Sequence, residues 1–183
     1  MQENFLGYAG KAGMPVDDED RARVAAASQV RRALSPQGGW QPMIERLVRL
    51  VTFAAEAPVG FASLVTSGQH MVLAGEGLDG VRPGDDLPLP ALMCQELAAT
   101  GVPLIVEDTA ADGRFLWCDS DRVAACAAFP VRDRVGEVVA VLGAAAPWPV
   151  VWSPRQLTAI DTGAQMLADW LLGATSVVSR LRA

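Results

Sequence analysis

Apolar residues recur along this chain with two different periods, and the alternation between them marks out the elements. From Trp40 to Ala57 they follow the helical spacing of three and four. Met43, Ile44, Leu47, Val48 and Val51 share one face, while Glu45, Arg46, Arg49 and Thr52 face away. From Asp17 to Leu34 acidic residues at the start and arginines near the end match the dipole of a helix. "SPQGG" separates the two. The segments 59–66 ("VGFASLVT") and 70–75 ("HMVLAG") have strand character and flank "SGQ", the signature of a hairpin. "GEGLDGVRPGDDLP" reads as a loop, and 91–101 ("ALMCQELAATG") as a short helix closed by glycine. The segment 103–108 ("PLIVED") reads as a strand, and "TAADGRFLWCDSD" as a loop or helical turn. "AACAAFPVRD" and "EVVAVLGAAA" read as two strands turning at "RVG".

The last stretch begins with Ser153 as an N-cap and Pro154 in the first helical turn. Leu157, Ile160, Ala164, Leu167, Leu171, Ala174, Val178 and Leu181 then recur at alternating spacings of three and four, the seam of a coiled coil. Gly163 and Gly173 weaken it. Core packing is expected for the first half of this helix and a partner helix for the second. The order helix, two strands, helix, strand, loop, two strands, helix is α+β, with helices packed on a central antiparallel sheet. The chain divides into a leader and helix at 1–38, a possible dimerisation element, a domain at 39–173 and a helical extension at 174–183.

Composition narrows the function. With 183 residues, 51% of them hydrophobic and 20% charged, the chain suits one globular domain. A net charge of −6, with Lys11 the sole lysine, supplies no basic field for nucleic acid. The N-terminus lacks a signal peptide's basic start and apolar run, and Met1 reads as a true start. The longest apolar run, 138–152, is broken by Gly143, Pro147 and Pro149, so no membrane span is expected and the cytoplasm is the default. Three cysteines without a C-x-x-C argue against a disulfide framework. A zinc site made from Cys94, Cys118, Cys126 and His70 has no support in their spacings. "GEGLDG" matches a dinucleotide fingerprint by letter, but "VRPGDDLP" after it cannot open the required helix. No P-loop is present and no Ser-His-Asp order is suggested.

From about Pro58 to Leu172 the chain resembles the GAF domain family. The resemblance rests on "LMCQELAATGVPLIVEDTAADGRF", on "AAFPVRDRVGEVVAVLG" and on "WSPRQLTAIDTGAQMLADWL", in that order. It implies a curved antiparallel sheet with the terminal helices on one face and a loop-enclosed pocket on the other. It also implies a sensory or regulatory module of bacterial type, often a homodimer through its helices, able to act on a downstream effector. The ligand-binding candidates are Cys94, Asp108, Phe115, Trp117, Cys118, Cys126 and Phe129. Their aromatic and thiol character points to a small, largely apolar ligand. For Cys126 a place in the core competes with a place in the pocket. No cofactor is implied: the cysteines lack the following histidine of bilin-binding relatives, His70 is the sole histidine available to a haem, and the Asn-Lys-x-Phe-Asp-Glu pattern of cyclic-nucleotide relatives is missing.

Two other readings stand beside the sensor. One is an interaction module without a ligand. The other is a thiol enzyme similar to the free methionine-(R)-sulfoxide reductases, with Cys118 as nucleophile and Cys94 as partner. For that enzyme the loop before the helix, "RPGDDLP", lacks the family's further cysteine. Asp119 and Asp121 would also raise the pKa of Cys118, with Arg114 and Arg122 as possible offsets.

Overall fold

The computed structural model describes residues 25, 28, 30, 40–66, 69–85, 96–98, 100–114 and 123–180, leaving aside the side chains of 66, 69, 70 and 174–180. Its elements, in chain order, are α1 (Gln41–Ala54), β1 (Val59–Thr66), β2 (Gln69–Glu76), β3 (Leu104–Val106), β4 (Ala125–Arg132), β5 (Val138–Ala146) and α2 (Pro154–Arg180). Residues 96–98 and 100 are helical, and Gly101 (φ 63°) closes that turn with its N–H on the Leu97 carbonyl, as the sequence implies. The strands form one sheet in the order β2-β1-β5-β4-β3, antiparallel throughout. The fold is therefore the expected α+β arrangement.

All nine residues of β5 are buried, so neither face of the sheet's centre meets water. Period-two alternation divides the core into two. On one face lie Ala62, Leu64, Ala125, Ala127, Ala140, Leu142 and Ala144, packed against Ile44, Leu47, Val48 and Val51 of α1 and Ile160, Ala164, Leu167 and Leu171 of α2. Val30, from the N-terminal region, joins this core. The first half of the α2 seam is thus core packing. The side chains of its second half lie outside the described residues. Gly163 sits at the crossing of the helices, where a Cβ would run into Val51. The residue that weakens the seam as a helix former is what lets α2 approach α1.

The buried arc of α1 is rotated from the expected one. Thr52 is buried and Met43 is 41% exposed. Thr52 tolerates burial because its hydroxyl donates to the Val48 carbonyl at 2.7 Å.

The start of α2 is a reciprocal cap. The Gln156 N–H donates to Ser153 Oγ (3.3 Å), and the Ser153 N–H donates to Gln156 Oε1 (2.8 Å). Gln156 Nε2 also donates to the Ala55 carbonyl at the end of α1 (2.7 Å). Just before this cap, the buried indole of Trp152 donates from Nε1 to the Val106 carbonyl of β3. One glutamine thus closes one helix and holds it to the other. Gln156→Ala is expected to lower stability by about 1–2 kcal/mol in urea unfolding, with the slope of the transition unchanged.

Candidate ligand-binding face of the sheet

The face turned away from the helices has its own core, including Phe61, Val65, Val72, Val106, Cys126, Ala128, Val141 and Ala145. Strand register orders these residues in rows. One row runs Val59, Ala145, Cys126, Val106, and the next runs Phe61, Gly143, Ala128, Leu104. A third runs Val72, Ser63, Val141, Pro130. Small residues hold the middle: Ala145, Cys126, Gly143 and Ala128. Above Gly143 the ring of Phe61 comes so close that a Cβ there would lie 2.6 Å from Cζ. Leu97 and Ala98 of the helical turn and Val123 pack onto this floor, with Val59, Leu78 and Val81 partly buried against it.

This face is almost entirely apolar. The buried polar side chains among the described residues are Thr52, Ser63 and Thr109. Thr52 belongs to the helix side. Thr109 donates from Oγ1 to the Val123 carbonyl (3.2 Å). Ser63 is wholly buried and its hydroxyl has no hydrogen-bond partner among the described residues. Beside it, β2 carries a bulge that pairs Ala62 with Ala74 and Ser63 with Val72. Leu73 and Ala74 therefore both enter the helix-side core. The Leu73 carbonyl accepts from Gln41 Nε2 of α1 (2.7 Å). Val72 is held on the outer edge by backbone bonds to Gly84 and Asp85.

Of the residues singled out from sequence, Cys126 lies on this face, 1% exposed. Phe129 does not: it packs into the helix-side core. The two are three positions apart on one strand, and a period of two sends them to opposite faces. Asp108 opens a turn beyond β3, its Oδ1 accepting from the Ala110 N–H and its carbonyl from the Asp112 N–H. Cys94, Phe115, Trp117 and Cys118 lie outside the described residues. Ser63 escaped the sequence reading. Its signal was its position: Phe61, Ser63 and Val65 share a face, so a hydroxyl interrupts an apolar row. Among the described residues no cluster of His, Cys, Asp or Glu could hold a metal ion, and no helix is long and apolar enough to cross a membrane.

The turn after Asp108 is clamped to the helical turn above the floor. Arg114 grips Asp112 through Nε (3.0 Å) and Nη2 (2.7 Å), and reaches Glu96 through Nη1 (2.9 Å). The guanidinium holds the Asp112 carboxyl below the usual carboxylate range, mainly by side-chain hydrogen bonding and against the opposing cost of desolvation. Arg114 is pushed further up by the same hydrogen bond to Asp112.

The two-sided antiparallel sheet, helices on one face and a turn-covered floor on the other, defines a class, and comparisons agree with it. The GAF domain model matches residues 40–169. The chain belongs to the GAF domain family, a family of sensory and regulatory modules. Among solved structures, the GAF domain of an Acinetobacter phosphoenolpyruvate-protein phosphotransferase superimposes with a TM-score of 0.65 at 17% identity, covering 88% of this chain and 97% of that one. The GAF domain of such a protein from Coxiella burnetii gives 0.65 at 13%, covering 87% and 98%. A free methionine-R-sulfoxide reductase from Neisseria meningitidis, in complex with its substrate, gives 0.61 at 15%, covering 91% and 97%. At these identities the likeness is one of fold. No curated protein sequence matches.

The Asp112 clamp sets a pH dependence. A carboxylate depressed in the folded state stabilises fully above its unfolded pKa, near 4, and loses that contribution as pH falls through the folded value. Asp112→Asn is expected to cost at most about 1 kcal/mol at pH 7, because Arg114 is half-exposed and screened. The wild-type and variant stability curves should converge below pH 4 in acid-titrated urea unfolding.

Proposed function

We propose that this chain is a cytoplasmic sensory or regulatory module that takes a small, mostly apolar molecule against the second face of its sheet, pairs with a second copy through its helices, and reports to an effector. The observation that carries the ligand reading is the floor itself. A central stretch built from Gly143, Ala128, Ala145 and Cys126 offers width without bulk, ringed by Val106, Val141 and Leu104. Such a lining favours apolar matter. Catalysis is not part of the proposal: among the described residues the thiol on this face is Cys126, which is buried beside Ala145 and Val106, while Cys118 and Cys94, the thiols the enzyme reading uses, lie outside them.

Pairing is supported by the outer side of α1. Met43, Leu50 and Phe53 stand on one stripe at 41%, 57% and 85% exposure, and Met166 is 42% exposed on α2, which packs beside α1. Exposed apolar side chains in one row favour burial against a like row.

The ligand test uses the chain labelled at alanine methyls. Adding α-methylstyrene should shift the Ala128 and Ala145 methyl resonances saturably, and Ala128→Val should abolish the shift at Ala145. Resonances unmoved in the wild type up to the solubility of the probe would overturn the reading. For pairing, light scattering should give the mass of a dimer for the wild type and of a monomer for Leu50→Glu/Phe53→Glu. A monomeric wild type would remove the helices as a dimer interface.

A further inference from the structure

We propose that Ser63 is the polar anchor of this face and that the ligand is an uncharged, largely apolar molecule presenting a hydrogen-bond acceptor such as a carbonyl oxygen. The inference rests on the ligand-face reading above and specifies the chemistry of what binds there.

Three hydroxyls are buried among the described residues, and two donate to backbone carbonyls within their own surroundings. Ser63 Oγ is fully buried and has no such acceptor. Its position explains why. β1 lies between β2 and β5, so backbone groups on both sides of Ser63 are engaged in ladders. Its cross-strand neighbours on the same face are Val72 and Val141, which offer no acceptor. Valine would fill that row with better strand propensity and no unpaired group. A buried polar atom kept unsatisfied at a position where an apolar one fits is a mark of use rather than of stability.

Direction follows from alternation. Phe61 and Val65 belong to the second core, while Ala62 and Leu64 belong to the helix side. Ser63 therefore points across the same floor as Phe61, one row from Gly143 and Ala128. A hydroxyl supplies one donor and two acceptor sites, and the unmet donor selects an oxygen or nitrogen acceptor. It selects a neutral one: a carboxylate or phosphate stripped of water needs a cation or several donors, and the described residues of this face supply neither.

The experiment compares two probes of nearly equal shape on the full chain, acetophenone with its carbonyl and α-methylstyrene with a methylene in its place, read at the Ala128 and Ala145 methyls. The wild type should bind acetophenone about 3- to 10-fold more tightly, the range of one neutral hydrogen bond. Ser63→Ala and Ser63→Val should both erase that preference, so that neither variant binds acetophenone more tightly than α-methylstyrene. Thermal unfolding should find both variants no less stable than the wild type, because no protein partner is lost. Equal binding of the two probes by the wild type, a preference that survives in Ser63→Ala, or a clear drop in the melting temperature of Ser63→Ala would overturn the anchor while leaving the apolar site standing. Failure of both probes to shift either methyl would instead remove the site and the anchor together.

Discussion

The burial of β5 on both sides is the constraint from which the rest of the molecule follows. A strand with nine buried residues must lie at the centre of its sheet and must have a covering layer on each face. Here the two covers are unlike. Two helices supply one, with Ile, Leu and Val side chains meeting a bed of alanines. Turns and a helical segment supply the other, over a bed that mixes Gly143, Ala128 and Ala145 with valines and the ring of Phe61. The helix layer is the stabilising half, because long aliphatic side chains bury most area there. The turn-covered half carries the polar irregularity at Ser63, so the two faces of one sheet differ in chemistry as well as in cover.

Much of this was legible in the sequence because it depends on local periodicity. The strand pairs around "SGQ" and "RVG", the glycine stop at Gly101 and the Ser153 cap are short-range signals, and they appear where expected. The cap held more than its signal: the Gln156 contact with Ala55 spans 101 positions and no local pattern reveals it. The helical phase of α1 was read one step off, since Met43 looks like core and Thr52 like surface until the Val48 carbonyl is placed beneath its hydroxyl.

The site was less legible. Residue type suggested Cys126 and Phe129 together, but strand alternation, available in the sequence all along, separates them. Asp108 holds a turn through its carboxylate, a role that residue type alone does not reveal. A single serine in "FASLV" carries no motif, and only cross-strand register shows that both neighbours of Ser63 are valines.

The corner where Ala55 meets Gln156 has a mechanical consequence. From that corner the helices run back antiparallel, since Val51 faces Gly163 farther along. At 1.5 Å per residue, the 27 residues of α2 extend about 20 Å farther than the 14 of α1. Among the described side chains of α2, Leu171 is the last held in the core, so the helix moves with its packed half as one rod. A roll of that half that keeps Gly163 against Val51 is carried by the backbone to the far end of α2, about 14 Å beyond Leu171.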